Sequence, residues 1–154
     1  MSKPPSEQVR AWREIMHVHA AVNDAIDKTL RAEVGIPASW YEALVEIAFA
    51  GGNMSMNQFA VETTLTKSGA TRFVDRLEEA GLVRRVSCPT DRRIWQLALT
   101  EEGKRKQTAS DPHVLRIIDE RFGRHLTDDE ASVLRTALAK VREEGGVEQR
   151  SPIL

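Results

Sequence analysis

The stretch TKSGATRFVDRLEEAGLVRR, residues 66 to 85, predicts the central element of the fold. Thr66 can begin a helix by accepting a hydrogen bond from a first-turn amide, and Gly81 can end it. Between them the apolar side chains fall on one side, while Arg72 and Arg76, four residues apart, share the other. The spacing therefore predicts an amphipathic helix with an apolar inner face and a basic outer face.

A shorter helix is predicted before this one, and a hairpin after it. Residues 55 to 58, Ser-Met-Asn-Gln, fit a capping box, which predicts a helix through about Glu62. Residues 82 to 86 contain Leu82 and the β-branched Val83 and Val86, residues 89 to 92 have turn chemistry, and residues 94 to 99 are apolar except for Gln96. We therefore expect a two-stranded antiparallel hairpin. Two closely spaced helices followed by a hairpin form the winged helix-turn-helix pattern.

Two more helices are predicted on the N-terminal side of this unit. Apolar residues recur at helical spacing over residues 9 to 30, so a long helix should run from near Ser6 to near Gly35. Residues 39 to 42, Ser-Trp-Tyr-Glu, fit a capping box, and a second helix should follow as far as Ala50.

Helical signals also follow the hairpin. Thr100 should begin a helix, and Asp111-Pro112 should interrupt it, because proline has no amide to donate and its ring clashes with the preceding turn. Residues 127 to 130, Thr-Asp-Asp-Glu, fit another capping box and should open a last helix that ends at Gly145. The predicted fold class is mostly α with a small β-hairpin wing, a winged helix-turn-helix with a helical dimerisation arm.

Composition and charge describe an ordinary globular protein with one basic region. The 154 residues are 41% hydrophobic and 29% charged, with a formal net charge of −1, which disfavours collagen-like, low-complexity and disordered chains. From Lys67 to Arg93, seven basic residues stand against four acidic ones, so this stretch carries +3 and the remainder −4. A positive region over the helix pair and the hairpin suits phosphate neutralisation, and the alternative is a solvated helix face.

Several classes of protein are not expected. No apolar run approaches the roughly 18 residues of a membrane span, and the N-terminal MSKPPSEQVR lacks the apolar stretch of a secretory signal. The single cysteine, Cys88, cannot form an intramolecular disulfide, and a buried or tolerated residue is favoured over a redox role. Glycine-rich phosphate loops, HExxH and GxSxG are missing, so neither an enzyme nor a cofactor is expected. The prediction is a cytoplasmic protein with no membrane partner.

The first turn of the basic helix carries candidate phosphate contacts. Lys67 and Ser68 follow the cap Thr66, where unpaired backbone amides point outward and can bind an anion. Gly69 and Ala70 are small, which would let the backbone approach a groove wall or would serve tight helix packing, and the sequence leaves both interpretations open.

The hairpin turn carries a second group of candidate contacts. Arg92 and Arg93 lie on a tight projecting turn, and arginine is the side chain that narrow minor grooves attract. Asp91 could hold Arg93 in place by an ion pair. The alternative is a charged turn that only keeps the protein in solution.

Taken together, these motifs resemble the multiple-antibiotic-resistance regulator (MarR) family of bacterial transcription factors. The resemblance covers residues 54 to 103, in which TKSGATRFVDRLEEAGLVRR, PTDRR and LALTEEG follow in order and with matching spacing. LTDDE at residues 126 to 130 resembles the opening of the family's final helix. The N-terminal helices match in length and pattern only. The sequence departs from the commonest family pattern at Gly69-Ala70 and at Asp111-Pro112.

The resemblance implies a homodimeric repressor that binds double-stranded DNA at a palindromic operator. It implies a single domain over residues 1–154, with a helical dimerisation region at 7–34 and 112–145 and a DNA-binding lobe at 38–103. Each subunit would place its recognition helix in a major groove and its wing in a minor groove. The candidate DNA-binding residues are Ser55, Thr66, Lys67, Ser68, Thr71, Arg72, Arg76, Asp91, Arg92 and Arg93.

The resemblance also implies release from DNA by a small aromatic or anionic ligand bound between the dimerisation region and the DNA-binding lobe. Trp12, Met16, His19 and Trp40 are the candidates for such a pocket, and ordinary core packing is the alternative for each. His17 and His19 lie on different helix faces, while His113 and His125 stand alone, so no metal site is expected.

A winged helix that binds another protein instead of DNA is the alternative function. Such a module is expected to have an apolar outer face on its third helix. Arg72 and Arg76 argue against it.

Overall fold

The structure, a computed structural model, describes residues 6–63, 65–87 and 95–146 as six α-helices, a short 3-10 helix and three strands. The elements in chain order are α1 (Glu7–Glu33), α2 (Ala38–Phe49), β1 (Asn53–Ser55), α3 (Met56–Glu62), α4 (Lys67–Glu79), β2 (Val83–Ser87), β3 (Trp95–Leu99), α5 (Glu101–Arg121), the 3-10 helix (Gly123–His125) and α6 (Asp128–Glu144). The predicted fold class, mostly α with a small β wing, is confirmed.

Most of the predicted helix starts are confirmed by their caps. The side chains of Ser6, Ser55, Thr66, Thr100 and Thr127 each accept a hydrogen bond from a backbone amide three residues ahead. At α6 the capping box is complete, because the Glu130 carboxylate also accepts from the amide of Thr127 at 2.8 Å. These contacts satisfy amides that the first helical turn leaves without partners.

The start of α2 differs from the prediction. Pro37 is the N-cap and Ser39 lies inside the first turn, so the predicted capping box at residues 39 to 42 is wrong. Asp27 of α1 supplies the acceptor instead, with its Oδ1 2.8 Å from the amide nitrogen of Ala38. Hydrogen bonds from Arg31 and from this amide lower the pKa of Asp27. The first two helices are thus joined by a charged cap.

The sheet has one more strand than the predicted hairpin. The strands are antiparallel and their order is β1-β3-β2. Leu97 of the central strand β3 lies opposite Met54 of β1 on one side and opposite Arg85 of β2 on the other. The short β1 follows Gly51 and Gly52, which have φ of 79° and 86°. Three residues are too few to show an alternating pattern, which is why the sequence did not reveal this strand.

Helix α5 runs through Pro112 without a break, so the predicted interruption is wrong. Packing on both sides of the proline holds the helix together, since Ser110 and Val114 are both buried. Tyr41 of α2 donates to the Asp111 carboxylate at 2.9 Å, and Gln107 donates to the same group at 3.0 Å. Burial raises the pKa of Tyr41, so its hydroxyl stays a donor. The predicted domain boundary at residue 112 therefore falls inside one helix.

The core lies where α2 meets α5 and the helix-turn-helix. Tyr41, Leu44, Ile47, Phe59 and Leu77 have at most 1% of their surface exposed. In α1, by contrast, only Ile26 and Leu30 are buried, and α6 has no buried residue. None of the helices in the three described ranges is both long and apolar enough to cross a membrane.

Candidate nucleic-acid interface

Apolar contacts fix how α4 is rotated on the body of the protein. Ala70, Val74 and Leu77 have 0% of their surface exposed. The ring of Phe73 is half-buried and lies 6.1 Å from the ring of Phe59 on α3, in a tilted arrangement. With these side chains directed inward, the other face of α4 must point to solvent.

The outward face of α4 carries the predicted polar and basic residues. Lys67, Ser68, Thr71, Arg72 and Arg76 are all exposed. The Thr71 hydroxyl donates to the carbonyl of Lys67 at 3.0 Å, and the hydroxyls of Ser68 and Thr66 lie 3.3 Å apart. Within the described ranges, no acidic side chain forms an ion pair with Lys67, Arg72 or Arg76. Their charges are available to an external anion.

Arg76 is restrained while it remains exposed. Its guanidinium carbon lies 5.5 Å from the centre of the Phe73 ring, a distance at which the cation is attracted by the ring face. A restrained arginine loses less conformational entropy when it binds.

Arg85 on β2 has a different role from the other basic residues. Its guanidinium pairs with Asp75 at 2.6 Å and with Glu78, and the Glu78 carboxylate also accepts from the Arg85 amide at 3.1 Å. These acids, Asp75 first, raise the pKa of Arg85. These ion pairs connect α4 to β2 of the wing. The count of basic residues therefore overstates the positive charge that is available to DNA. Nothing in the local sequence pattern indicated this pairing.

The two interpretations of Gly69-Ala70 separate in the structure. Ala70 is fully buried, which agrees with the interpretation that a small residue allows tight helix packing. A Cβ built on Gly69 would lie 3.1 Å from the Thr66 hydroxyl oxygen, closer than ordinary contact. The small residue at 69 therefore leaves room for the helix cap.

The remaining candidate contacts lie at or beyond the edge of this surface. Ser55, the cap of α3, is partly exposed, and its hydroxyl oxygen accepts from the amide of Gln58 at 3.2 Å. Cys88, Asp91, Arg92 and Arg93 lie outside the described residues.

Two cavities flank α1 and α2. The first, of about 550 Å³, is almost wholly apolar and is bounded by α1, α2, α5 and α6; we call it the arm cavity. The second, of about 400 Å³, is bounded by α1, α2 and the helix-turn-helix; we call it the inter-lobe cavity. His19 lines both of them and lies 3.2 Å from the Asn23 amide nitrogen.

The other three candidate ligand residues line neither of these two cavities. Trp12 and Met16 are 60% and 44% exposed on α1, and Trp40 packs against the edge of the core. Glu46 and Phe73, which do line the inter-lobe cavity, were not predicted. A single acid in the otherwise apolar run ALVEIAFA, residues 43 to 50, was the one sequence signal for Glu46. In the part of the chain that the structure describes, no three His, Cys, Asp or Glu side chains converge as metal ligands.

Comparison with known proteins places this architecture in one family. The sequence model of the MarR family matches residues 34–94. YsmB, an HTH-type transcriptional regulator of Bacillus subtilis, is 30% identical over 146 residues, which are 93% of this chain and 96% of that protein. AbsC, a MarR family transcriptional regulator from Streptomyces coelicolor, superimposes with a TM-score of 0.81 at 27% identity, over 96% of this chain and 100% of that one.

Other similarities agree in fold. The structure of Sco3205, a MarR family regulator from Streptomyces coelicolor in complex with DNA, has a TM-score of 0.77 at 24% identity and covers 94% of this chain and 91% of that one. Matches to two further curated regulators span 63% and 60% of those proteins' lengths. The relatives found by sequence are named as regulators of transcription. From the family match, the near full-length relative and the shared fold, the chain belongs to the MarR family of transcriptional regulators.

Proposed function

We propose that this regulator binds double-stranded DNA as a homodimer and represses transcription from a palindromic operator. The outward face of α4 carries the proposal, because Lys67, Arg72 and Arg76 are exposed there without acidic partners in the described ranges. A helix with this surface fits the major groove, where arginine reads base edges and lysine neutralises phosphate. An apolar face, as expected of a protein-docking winged helix, is not what α4 presents.

The other candidate contacts take positions around this helix in the proposal. Ser68 and Thr71 extend the polar face of α4, while Thr66 and Ser55 lie at helix N-termini, where backbone amides suit phosphate. Asp91, Arg92 and Arg93 are proposed to place the wing in the adjoining minor groove.

The proposed homodimer is supported by the apolar surface of α1 and α6. Trp12 and Val9 on α1 are 60% and 48% exposed, and Val133 and Val141 on α6 are 70% and 60% exposed. Exposed apolar surface of this extent is typical of an interface. A two-fold dimer presents two recognition helices to successive major grooves about 34 to 36 Å apart, which is why a palindromic operator is proposed.

Ligand control is the third part of the proposal. The inter-lobe cavity touches α1 and α2 on one side and α4, through Phe73, on the other. A small molecule there that prefers one spacing of the two recognition helices would change DNA affinity without touching DNA.

Selection of bound sites from random duplex DNA tests the proposal. A palindromic motif with half-sites about one helical turn apart is the expected result. On the selected site, Arg72→Ala should cost about 1 to 3 kcal/mol of binding if the side chain reads a base, or reduce the salt slope by about 1 if it holds a phosphate.

Arg121→Ala is the matched control, since Arg121 is also exposed but lies at the end of α5. It should leave affinity and salt slope unchanged. If no motif emerges and Arg72→Ala behaves as Arg121→Ala does, α4 does not read DNA.

A further inference from the structure

The inter-lobe cavity has an unusual electrostatic lining. Its wall includes three carboxylates, from Glu42 and Glu46 of α2 and Glu62 of α3, together with the apolar side chains Val45, Leu65 and Phe73. Among the described residues, no lysine or arginine lines it. A volume of about 400 Å³ is within the range of small-molecule sites. The formally charged side chains of this lining are therefore acidic, which disfavours an anionic ligand.

Glu46 supplies the second observation. Only 9% of its surface is exposed, and its Oε2 has no hydrogen-bond partner among the residues that the structure describes. Buried polar atoms are nearly always paired, because an unpaired one loses its hydration without compensation. An unpaired carboxylate oxygen on a residue that lines a cavity can accept a hydrogen bond from a donor bound in that cavity.

We propose that the inter-lobe cavity binds a small aromatic organic cation. The protonated amine of the ligand pairs with Glu46, and its ring packs against Phe73 and Leu65. The aromatic part of the sequence-based expectation is kept, and the anionic part is replaced by the opposite charge. The volume suits a molecule larger than a single ion, and no three carboxylate or imidazole groups among the described residues converge on one point.

The ligand would also contact the element that reads DNA, and this step rests on the proposed function. Phe73 lies beside Arg72 on α4, and its ring carries the guanidinium of Arg76 at 5.5 Å. A ligand ring that packs against Phe73 shifts the Phe73 ring away from Arg76, the proposed DNA-contacting arginine that it holds. Ligand binding and DNA binding are then coupled, and each weakens the other by the same factor.

Three probes that share an indole ring and differ in charge test the charge preference of the cavity. Tryptamine is a cation, tryptophol is neutral and indole-3-acetate is an anion, and each is titrated calorimetrically into the DNA-free protein. Tryptamine should bind at least tenfold more tightly than tryptophol, and indole-3-acetate should not bind measurably. Equal binding of the three probes, preference for the anion, or no binding of tryptamine at millimolar concentration would overturn the proposal.

Two variants locate the site. Glu46→Gln preserves shape and removes the charge, so it should weaken tryptamine about tenfold or more and leave tryptophol nearly unchanged. Glu33→Gln removes an exposed carboxylate at the end of α1 and should change neither. The melting temperature of Glu46→Gln is measured alongside; an unchanged tryptamine affinity in a folded Glu46→Gln protein would show that the cation binds elsewhere. Displacement of tryptamine by zinc at equal concentration would assign the carboxylates to a metal instead.

A DNA titration separates this inference from the proposed function. Tryptamine should lower the affinity of the wild-type protein for its selected site, and should lose that effect in Glu46→Gln. If the protein prefers tryptamine over the other two probes but selects no DNA, the cation site is supported and the proposed function is contradicted. If the protein selects a DNA site but shows no preference for tryptamine, the proposed function is supported and the cation site is contradicted.

Discussion

Arg72 and Arg85 carry the same charge in the same basic stretch, yet their surroundings give them different uses. Arg72 is exposed on α4 without an acidic partner in the described ranges, whereas the side chain of Arg85 is only 27% exposed and is held by Asp75 and Glu78. The difference follows from position, because β2 places Arg85 beside Asp75 and Glu78 of α4. Counting charges predicts a basic surface, and the ion pairs show that Arg85 is held by acids whereas Arg72 is not.

Asp27 is a second residue whose role depends on a distant partner, and it gives a prediction. Asp27→Ala removes the acceptor for the amide of Ala38 and should lower the free energy of unfolding at pH 7 by about 0.5 to 2 kcal/mol, the range for a lost helix cap. Since the pKa of Asp27 is held below its usual 3.8, its contribution is complete above that pH and disappears as the pH falls through the lower folded-state value. Urea unfolding between pH 2 and 7 measures both effects.

Asp24→Ala is the control on the same helix. Asp24 is exposed and pairs with Lys28 at 2.7 Å, so its loss should cost about 0.5 kcal/mol or less. Equal losses from the two substitutions would mean that the Asp27 cap does not stabilise the start of α2.

At the scale of elements, packing overrides local signals in two places. Proline inside a helix costs about 3 kcal/mol in isolation, yet α5 continues through Pro112 because its neighbours Ser110 and Val114 are buried and Asp111 is held by Tyr41. Likewise β1 exists because β3 offers it a paired edge. Tyr41 is distant in sequence from Asp111, and β3 is distant in sequence from β1.

Gly103 gives the prediction for an element. A Cβ at this position would lie 2.0 Å from the carbonyl oxygen of Leu82, so the first turn of α5 packs directly on the backbone before β2. Gly103→Ala should therefore separate α5 from the sheet and lower the free energy of unfolding by about 1 to 3 kcal/mol or more, although alanine favours helix. Thermal unfolding followed by circular dichroism provides the measurement.

Lys104→Ala tests whether any change in this turn has the same effect. Lys104 is exposed and, among the described residues, forms its ion pair with exposed Glu101 at 3.0 Å, so the melting temperature should hardly move. A Gly103→Ala protein as stable as wild type would show that the close approach of α5 to Leu82 is not required.

At the scale of the whole molecule, apolar side chains near the start of α1 and along α6 remain exposed in the described chain, among them Val9, Trp12, Val133 and Val141. Leu138 on α6 is 41% exposed and borders the arm cavity, which α6 helps to close. Leu138→Glu would place a charge in the proposed dimer interface, where burying it without a partner is costly. We expect sedimentation at micromolar concentration to change from dimer to monomer, with weaker binding of the palindromic site.

Lys140→Glu changes the charge by −2, against −1 for Leu138→Glu, on the same helix at an exposed position that is already charged. It should leave the sedimentation coefficient unchanged. A wild-type protein that sediments only as a monomer would contradict the homodimer, and a dimeric Leu138→Glu protein would place the interface elsewhere.

The sequence alone determined the class of fold, the order of its helices and the basic face of α4. Caps at Thr66, Thr100 and Thr127 and the periodicity of apolar residues act within one or two turns, so neighbouring residues suffice to reveal them. The order of helix, wing and helix along the chain also showed the resemblance to the MarR family.

Only the tertiary structure decided what each element meets. Asp27 caps a helix 11 residues away and Tyr41 holds Asp111 across 70 residues, and both hydrogen bonds depend on folding the chain back on itself. The same reason applies to the inter-lobe cavity, where Glu46 and Phe73 come from separate helices. Local periodicity states that a face is apolar or charged, and the arrangement of the helices decides which faces are covered and which groups lack a partner.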